Sequence, residues 1–194
     1  MIKREKTERA LLIPVLLGSV REGRQSANVS QLIWKQLSKN SDVQTKLIDL
    51  KAYQLPVLEE RLGDMKNPPT TLLDFCSQVS QVDALLIVAP EYKNGYPGAL
   101  KNALDYLEPQ VLRRKPIGIC TVSSGGLGGL NCLMQLRLVC LALGGMPIPE
   151  KLLVSKVGEV FDSEGNLRDP SLTSKIDTFI KALVWYSKRL AQDI

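Results

Sequence analysis

The residues with the clearest chemical purpose lie in three polar loops, and each is built to bind rather than to cleave. The first is Gly18-Ser19-Val20-Arg21-Glu22-Gly23-Arg24-Gln25-Ser26. It runs into a helix-forming pattern, and the free N–H groups and dipole at a helix start favour an anion. Ser19 and Ser26 add hydroxyl donors, Gln25 an amide, and Arg21 and Arg24 guanidinium forks suited to phosphate oxygens. The loop has neither Gly-Lys-Ser/Thr nor G-x-G-x-x-G, so it is not a nucleotide loop of either familiar kind. The second loop, Pro90-Glu91-Tyr92-Lys93-Asn94-Gly95, offers backbone N–H and C=O groups and the Tyr92 ring to a flat heterocycle. Glu91 by itself reads as a solvated carboxylate or a helix-end partner. The third, Ser123-Ser124-Gly125-Gly126-Leu127-Gly128-Gly129, leaves backbone amides uncovered where a polar ring edge can meet them. The plainer reading of all three is a capped helix, a turn and a flexible glycine run.

These loops are far apart in sequence and act together only if the fold assembles them. Apolar runs alternate with helical patterns along the chain. Strand segments are expected at 11–17, 43–50, 84–89, 117–122 and 147–154, with Pro14 an awkward member of the first. Helical spacing appears over Val29–Leu37, after Thr70 or Thr71 as cap, from Pro97 to Pro109, over 130–143 up to Gly144-Gly145, and from Ser171 to Ala191. The stretch 51–70, broken by Pro56, Gly63, Pro68 and Pro69, reads as irregular. Short continuous apolar strands alternating with helices predict a parallel sheet covered on both faces. The expected fold is α/β and flavodoxin-like, a three-layer sandwich on a five-stranded parallel sheet in the order 2-1-3-4-5. In that order strands one, three and four are neighbours, so the loops after them converge on one rim.

Composition narrows the function. The 194 residues, 44% of them apolar, suit one domain over 1–194, with 1–9 as a solvated tail. The net charge of +5 is scattered and aromatics make up only 5%, which argues against nucleic acid. No apolar run approaches membrane-spanning length, and no signal-peptide cleavage site follows 10–17. Histidine is absent, which removes the commonest general base and metal ligand. Cys76, Cys120, Cys132 and Cys140 lack metal-ligand spacing and read as small buried hydrophobes of a reducing, cytoplasmic setting. No metal site and no catalytic acid–base residue is assigned.

An anion cradle, a ring-binding loop and a glycine loop on one rim fit a phosphorylated aromatic cofactor, and FMN fits best. The same residues resemble the NADPH-dependent FMN reductase family, the flavodoxin-like group of quinone, chromate and azo-dye reductases. The resemblance rests on Gly18-Ser19-x-Arg21 with Arg24 and Ser26, and on Pro90-Glu91-Tyr92 followed by Tyr96-Pro97-Gly98-Ala99-Leu100-Lys101-Asn102-Ala103-x-Asp105. It rests also on Gly125-Gly126 with Gly128-Gly129 and Leu136-Arg137. It implies that Ser19, Arg21, Arg24, Gln25 and Ser26 hold the FMN phosphate. It further implies that Pro90, Glu91, Tyr92, Lys93, Asn94, Gly95, Ser123, Ser124, Gly125 and Gly126 hold the flavin. NADPH, or NADH, would donate hydride, and a small acceptor such as a quinone or free flavin would take the electrons. Lys93 departs from the Asn usual after Pro-Glu-Tyr, and it either places charge near the reduced flavin or points to solvent. From Leu133 to Leu143 only Gln135 and Arg137 are polar, and a helix so apolar needs cover on more than one side. Together with the family habit this points to a homodimer or homotetramer, with burial inside one subunit as the other reading. Lys101 and Asp105 form either an i,i+4 pair or a bridge between subunits. The alternative function is a flavodoxin-like electron carrier or a regulatory FMN-binding protein without reductase turnover.

Overall fold

The computed structural model describes residues 9–190. The tail expected at 1–9 lies outside them except for Arg9, as does Ala191 at the end of the last expected helix. The expected first strand is split into β1 (Leu11–Leu12) and β2 (Val15–Leu17). Pro14 has no N–H to give, yet its carbonyl accepts from Leu86 at 3.1 Å, so the backbone stays extended through the break. The second expected strand is likewise β3 (Val43–Gln44) and β4 (Leu47–Asp49). Two unbroken strands follow, β5 (Leu85–Pro90) and β6 (Pro116–Val122). The fifth is divided around Pro149 into β7 (Met146–Pro147) and β8 (Leu152–Val154).

All these strands pair in parallel. The main sheet runs β4-β2-β5-β6-β7, with β8 pairing farther along β6, and β1 and β3 form a two-stranded extension. By segment the neighbours therefore run second, first, third, fourth, fifth. The strand count departs from the expected five: six strands make the main sheet and two the extension. The cause is local, since prolines and short polar interruptions break ladders that a purely apolar run would continue.

Helices cover both faces. On one side lie α1 (Ser26–Leu37) and α6 (Ser171–Leu190). On the other lie α2 (Leu50–Tyr53), α3 (Thr70–Ser80), α4 (Gly98–Asp105) and α5 (Leu130–Ala142). Two expectations shift here. A short helix occupies the start of the stretch read as irregular. Thr70 is the first residue of α3, with Pro69 before it and no side-chain cap bond.

The central strand explains the layering. Its side chains alternate with period two. Leu86 and Val88 join Val29, Ile33, Phe179 and Leu183 in one core, while Leu85, Ile87 and Ala89 join Phe75, Leu100, Leu104 and Leu136 in the other. β5 is thus buried on both faces, and this is why its sequence is apolar throughout rather than alternating.

Candidate functional site

Three backbone hydrogen bonds place the polar loops side by side. The N–H of Gly18, as the chain leaves β2, donates to Val88 O on β5 at 2.9 Å. That of Glu91, leaving β5, donates to Val122 O on β6 at 2.8 Å, and that of Ser123, leaving β6, to Val154 O on β8 at 2.9 Å. Each loop starts bonded to the next strand, so all three open at the carboxyl edge of the sheet, where α/β folds bind ligands.

The first two loops touch. Ser19 is fully buried, and its Oγ lies 2.8 Å from the Tyr92 hydroxyl, with which it shares a hydrogen bond. The Arg21 backbone N–H donates to Ser19 Oγ at 3.3 Å, and the Arg21 guanidinium stands over the Tyr92 ring, 5.7 Å from its centroid. Arg21 is exposed, and its cation is held at the mouth of the site rather than in a buried pair.

Arg24 behaves differently. Its Nη2 bonds the Asp49 carboxylate at the end of β4, and its side chain is only 11% exposed. Asp49 also accepts from the Lys51 N–H at 3.0 Å, so one carboxylate caps α2 and holds Arg24. Arg24 Nε is buried without an acceptor, and so is the Ser26 hydroxyl, on a residue 1% exposed in the first turn of α1. Gln25, the residue before the helix, is exposed and makes no capping bond through its side chain. Unpaired buried donors are costly. Both belong to residues at or just before the start of α1, where free N–H groups and the helix dipole favour negative charge.

The second loop is a two-residue hairpin. Tyr92 N–H donates to Gly95 O at 2.8 Å and Gly95 N–H to Tyr92 O at 3.0 Å. Lys93 (φ +50°) and Asn94 (φ +65°) between them both lie in the left-handed region, the signature of a type I′ turn. Asn tolerates that region better than Lys, so Lys93 is the less favoured of the two central residues. Lys93 itself is exposed. We expect Lys93→Asn to raise stability by about 1 kcal/mol, read as a higher midpoint in urea. Glu91 faces away from solvent chemistry: its Oε2 accepts from the Cys132 N–H in the first turn of α5 at 3.0 Å. It is the helix-end partner of the sequence reading.

In the third loop Gly125 N–H donates to Ser123 Oγ at 3.0 Å, and Gly125 O accepts from Lys156 at 3.1 Å. Ser124, Gly125 and Gly126 are exposed at the rim. The glycines at 128 and 129 have positive φ, and Thr121 Oγ1 donates to Gly128 O at 2.8 Å beneath them. Of the sequence-predicted residues, Ser19, Arg21 and Tyr92 are in mutual contact. Arg24 and Ser26 carry the unpaired buried donors, and Ser123 to Gly126 lie on the loop after β6 with no hydrogen bond to the first loop among the described residues.

Sequence reasoning missed several participants. Asp49, Asn131 and Gln135 carry only ordinary surface chemistry and lie far along the chain from the loops they touch. Asn102 goes to neither loop. It brackets the segment after α2, donating to Pro56 O at 2.6 Å and accepting from the Leu58 N–H at 2.9 Å. A cleft of about 790 Å³ lies between that segment, Val20 of the first loop and α4. Lys101 and Asp105 pair within α4, with Nζ 2.6 and 2.7 Å from the two oxygens. The cysteines are free, and burial pushes the Cys132 and Cys140 thiols up to about 12, which leaves them inert. Among the described residues no His/Cys/Asp/Glu cluster suits a metal ion.

Comparison with known proteins gives the family and the fold. A model of the NADPH-dependent FMN reductase family matches residues 11–159. A quinone reductase of Escherichia coli K12 is 33% identical over 183 residues, covering 87% of this chain and 93% of its own. A quinone reductase of Pseudomonas putida is 30% identical, covering 86% of this chain and 91% of its own. Among solved structures, the flavoenzyme NAD(P)H:(acceptor) oxidoreductase FerB of Paracoccus denitrificans superposes with a TM-score of 0.74. At 22% identity, covering 91% of this chain and 99% of that one, it speaks to the fold alone.

Proposed function

The chain belongs to the NADPH-dependent FMN reductase family, and on that premise we propose an oxidoreductase that moves electrons from NAD(P)H through bound FMN to a small acceptor of the quinone class. When bound, FMN supplies the hydride-accepting ring and the route to the acceptor. The protein's own residues bind and orient it. Ser26 Oγ and Arg24 Nε at the start of α1, with Arg21 and Gln25 beside them, would hold the phosphate. Pro90 to Gly95 and Ser123 to Gly126 would hold the flavin ring. Tyr92, fixed through its hydroxyl to Ser19, joins the two halves. No side chain is needed as a proton donor, in keeping with a chain that has no histidine.

The observation that carries this reading is the pair of buried donors without acceptors, Ser26 Oγ and Arg24 Nε, at a helix N-terminus on the rim shared by three loops. The test is direct. Purified protein reconstituted with FMN is expected to show a flavin spectrum that bleaches when NADPH is added without oxygen and recovers with a quinone. A bound flavin that NADPH leaves oxidised would favour an electron carrier. A protein that FMN cannot load would overturn the assignment.

We further propose one domain over 1–194 acting as a homodimer or homotetramer in a reducing, cytoplasmic compartment. Met134, Leu138 and Leu141 lie on one side of α5 with 53%, 68% and 58% of their surface exposed. Exposed apolar area of this kind marks an interface. Four free cysteines suit a reducing setting. Among the described residues no helix is long and apolar enough to cross a membrane. Sedimentation equilibrium is expected to return a multiple of 21.4 kDa, and a single-chain mass would remove the oligomer.

A further inference from the structure

The hairpin at 92–95 is fastened from outside. Its two central residues both sit in the left-handed region, unfavourable for Lys93 and tolerated by Asn94. Within the hairpin only Tyr92 and Gly95 bond each other. The tip is held by α5. Gln135 Nε2 donates to the Asn94 carbonyl at 2.7 Å, and Asn131 Nδ2 reaches the Asn94 side-chain oxygen at 3.4 Å. Asn131 and Gln135 are four residues apart, so they project from the same side of the helix. Glu91 at the base of the loop is tied to the same helix through the Cys132 N–H. The backbone N–H groups of Lys93 and Asn94 have no acceptor among the described residues, so the tip carries two free donors.

We infer that Gln135 is a positioning residue for the flavin: by holding the Asn94 carbonyl it fixes the orientation of the tip peptides and keeps donors, rather than this carbonyl, turned to the ring. The inference rests on the FMN reading above and deepens it. Reduction puts negative charge on the flavin ring, and N–H donors fixed in advance stabilise that charge more than the neutral oxidised form. A carbonyl swung to the same place would do the reverse. Gln135 thus acts on the difference between the two redox states as well as on affinity. Gly95 shows why the fit is close: a Cβ there would lie 3.3 Å from Gln135 Oε1. The sequence offered no sign of this role, because an exposed glutamine on a helix is ordinary.

The test compares Gln135→Met, which keeps length and loses the donor, with Gln135→Lys, which restores one. Gln135 is exposed, so both variants are expected to fold, with the melting curve of the FMN-free protein and the solution mass unchanged. Loss of one hydrogen bond predicts about tenfold weaker binding of oxidised FMN for Gln135→Met. Reduced FMN should weaken by about a further tenfold, which appears as a midpoint potential lower by about 30 mV. Gln135→Lys should recover most of the affinity. A Gln135→Met protein with unaltered FMN affinity and midpoint potential would sink the inference, as would a Gln135→Lys protein that behaves like Gln135→Met. Failure of the unaltered protein to bind FMN would instead strike the family-based reading, and it is seen before any variant is compared.

Discussion

Ser26→Asp is expected to abolish FMN binding while leaving the FMN-free protein folded and its affinity for riboflavin nearly unchanged. Ser26 is 1% exposed, and its hydroxyl has no partner. It lies in the first turn of α1, where a carboxylate is favoured by the helix dipole by about 0.3–1 kcal/mol. Arg24, two residues before it, keeps a buried Nε without an acceptor. If the phosphate binds at the start of α1 as proposed, the variant places a fixed negative charge in its site. A phosphate carrying about −1.5 to −2 charge would then meet a fixed negative charge. At about 4 Å and an effective dielectric of about 20, one such repulsion costs about 4 kcal/mol, or about a thousandfold in affinity. Riboflavin lacks the phosphate and so separates loss of the cradle from loss of the ring site. Flavin fluorescence titration reads both. An FMN affinity within threefold of the unaltered protein would mean that the phosphate binds away from α1.

Much of this site can be read from the sequence because its parts are local. Apolar strands that end in polar, glycine-rich loops locate a rim without coordinates, and Val88, Val122 and Val154 accept the hydrogen bonds that line the loops up. Pro14 stands out as an awkward member of the first expected strand, and the structure splits that strand there. What sequence conceals is pairing at a distance. Arg21 and Arg24 look equivalent in the loop, yet one stands over Tyr92 and the other is tied to Asp49, 25 residues away. No property of Asp49 alone marks it as that partner. Glu91 was legible as a helix-end partner in kind, but its helix begins about forty residues later. Asn131 and Gln135 sit among apolar residues on α5, where a polar side chain normally means solvent, and only the fold brings Asn94 to them. The number of strands was hidden for another reason. A strand segment as the sequence defines it is a run of apolar residues, whereas a strand in the sheet is a ladder of N–H donors. Pro14 interrupts the second without ending the first, whereas Thr45-Lys46 and Pro149-Glu150-Lys151 interrupt both within a segment that otherwise reads as one strand.

The two halves of the glycine loop make opposite demands, and Gly128→Ala is expected to show it with a loss of about 2–5 kcal/mol. Gly128 has φ +62°, and a Cβ there would stand 2.8 Å from Leu153 Cβ and 3.1 Å from the Leu153 carbonyl carbon. Neither atom is the end of a flexible side chain, so the loop must lift off β8 or the strand must move. The left-handed backbone contributes about 1–2 kcal/mol and the overpacking about 1–3 kcal/mol. In a chain of this length each kcal/mol lowers Tm by about 2–4 °C, so a fall of about 4–20 °C is expected. Gly126→Ala is the matched control. A Cβ at 126 meets nothing within 4 Å, and its φ lies outside the left-handed region. Its stability should change by less than about 0.5 kcal/mol, as for an ordinary surface substitution. If both variants melt together, the glycines at 128 and 129 are not what holds the loop on the sheet. If Gly128→Ala melts early and also loses FMN more than Gly126→Ala does, the buried bond from Thr121 to Gly128 O is the hinge on which the exposed residues 123–126 depend. The exposed part of the loop then owes its shape to the buried glycines behind it.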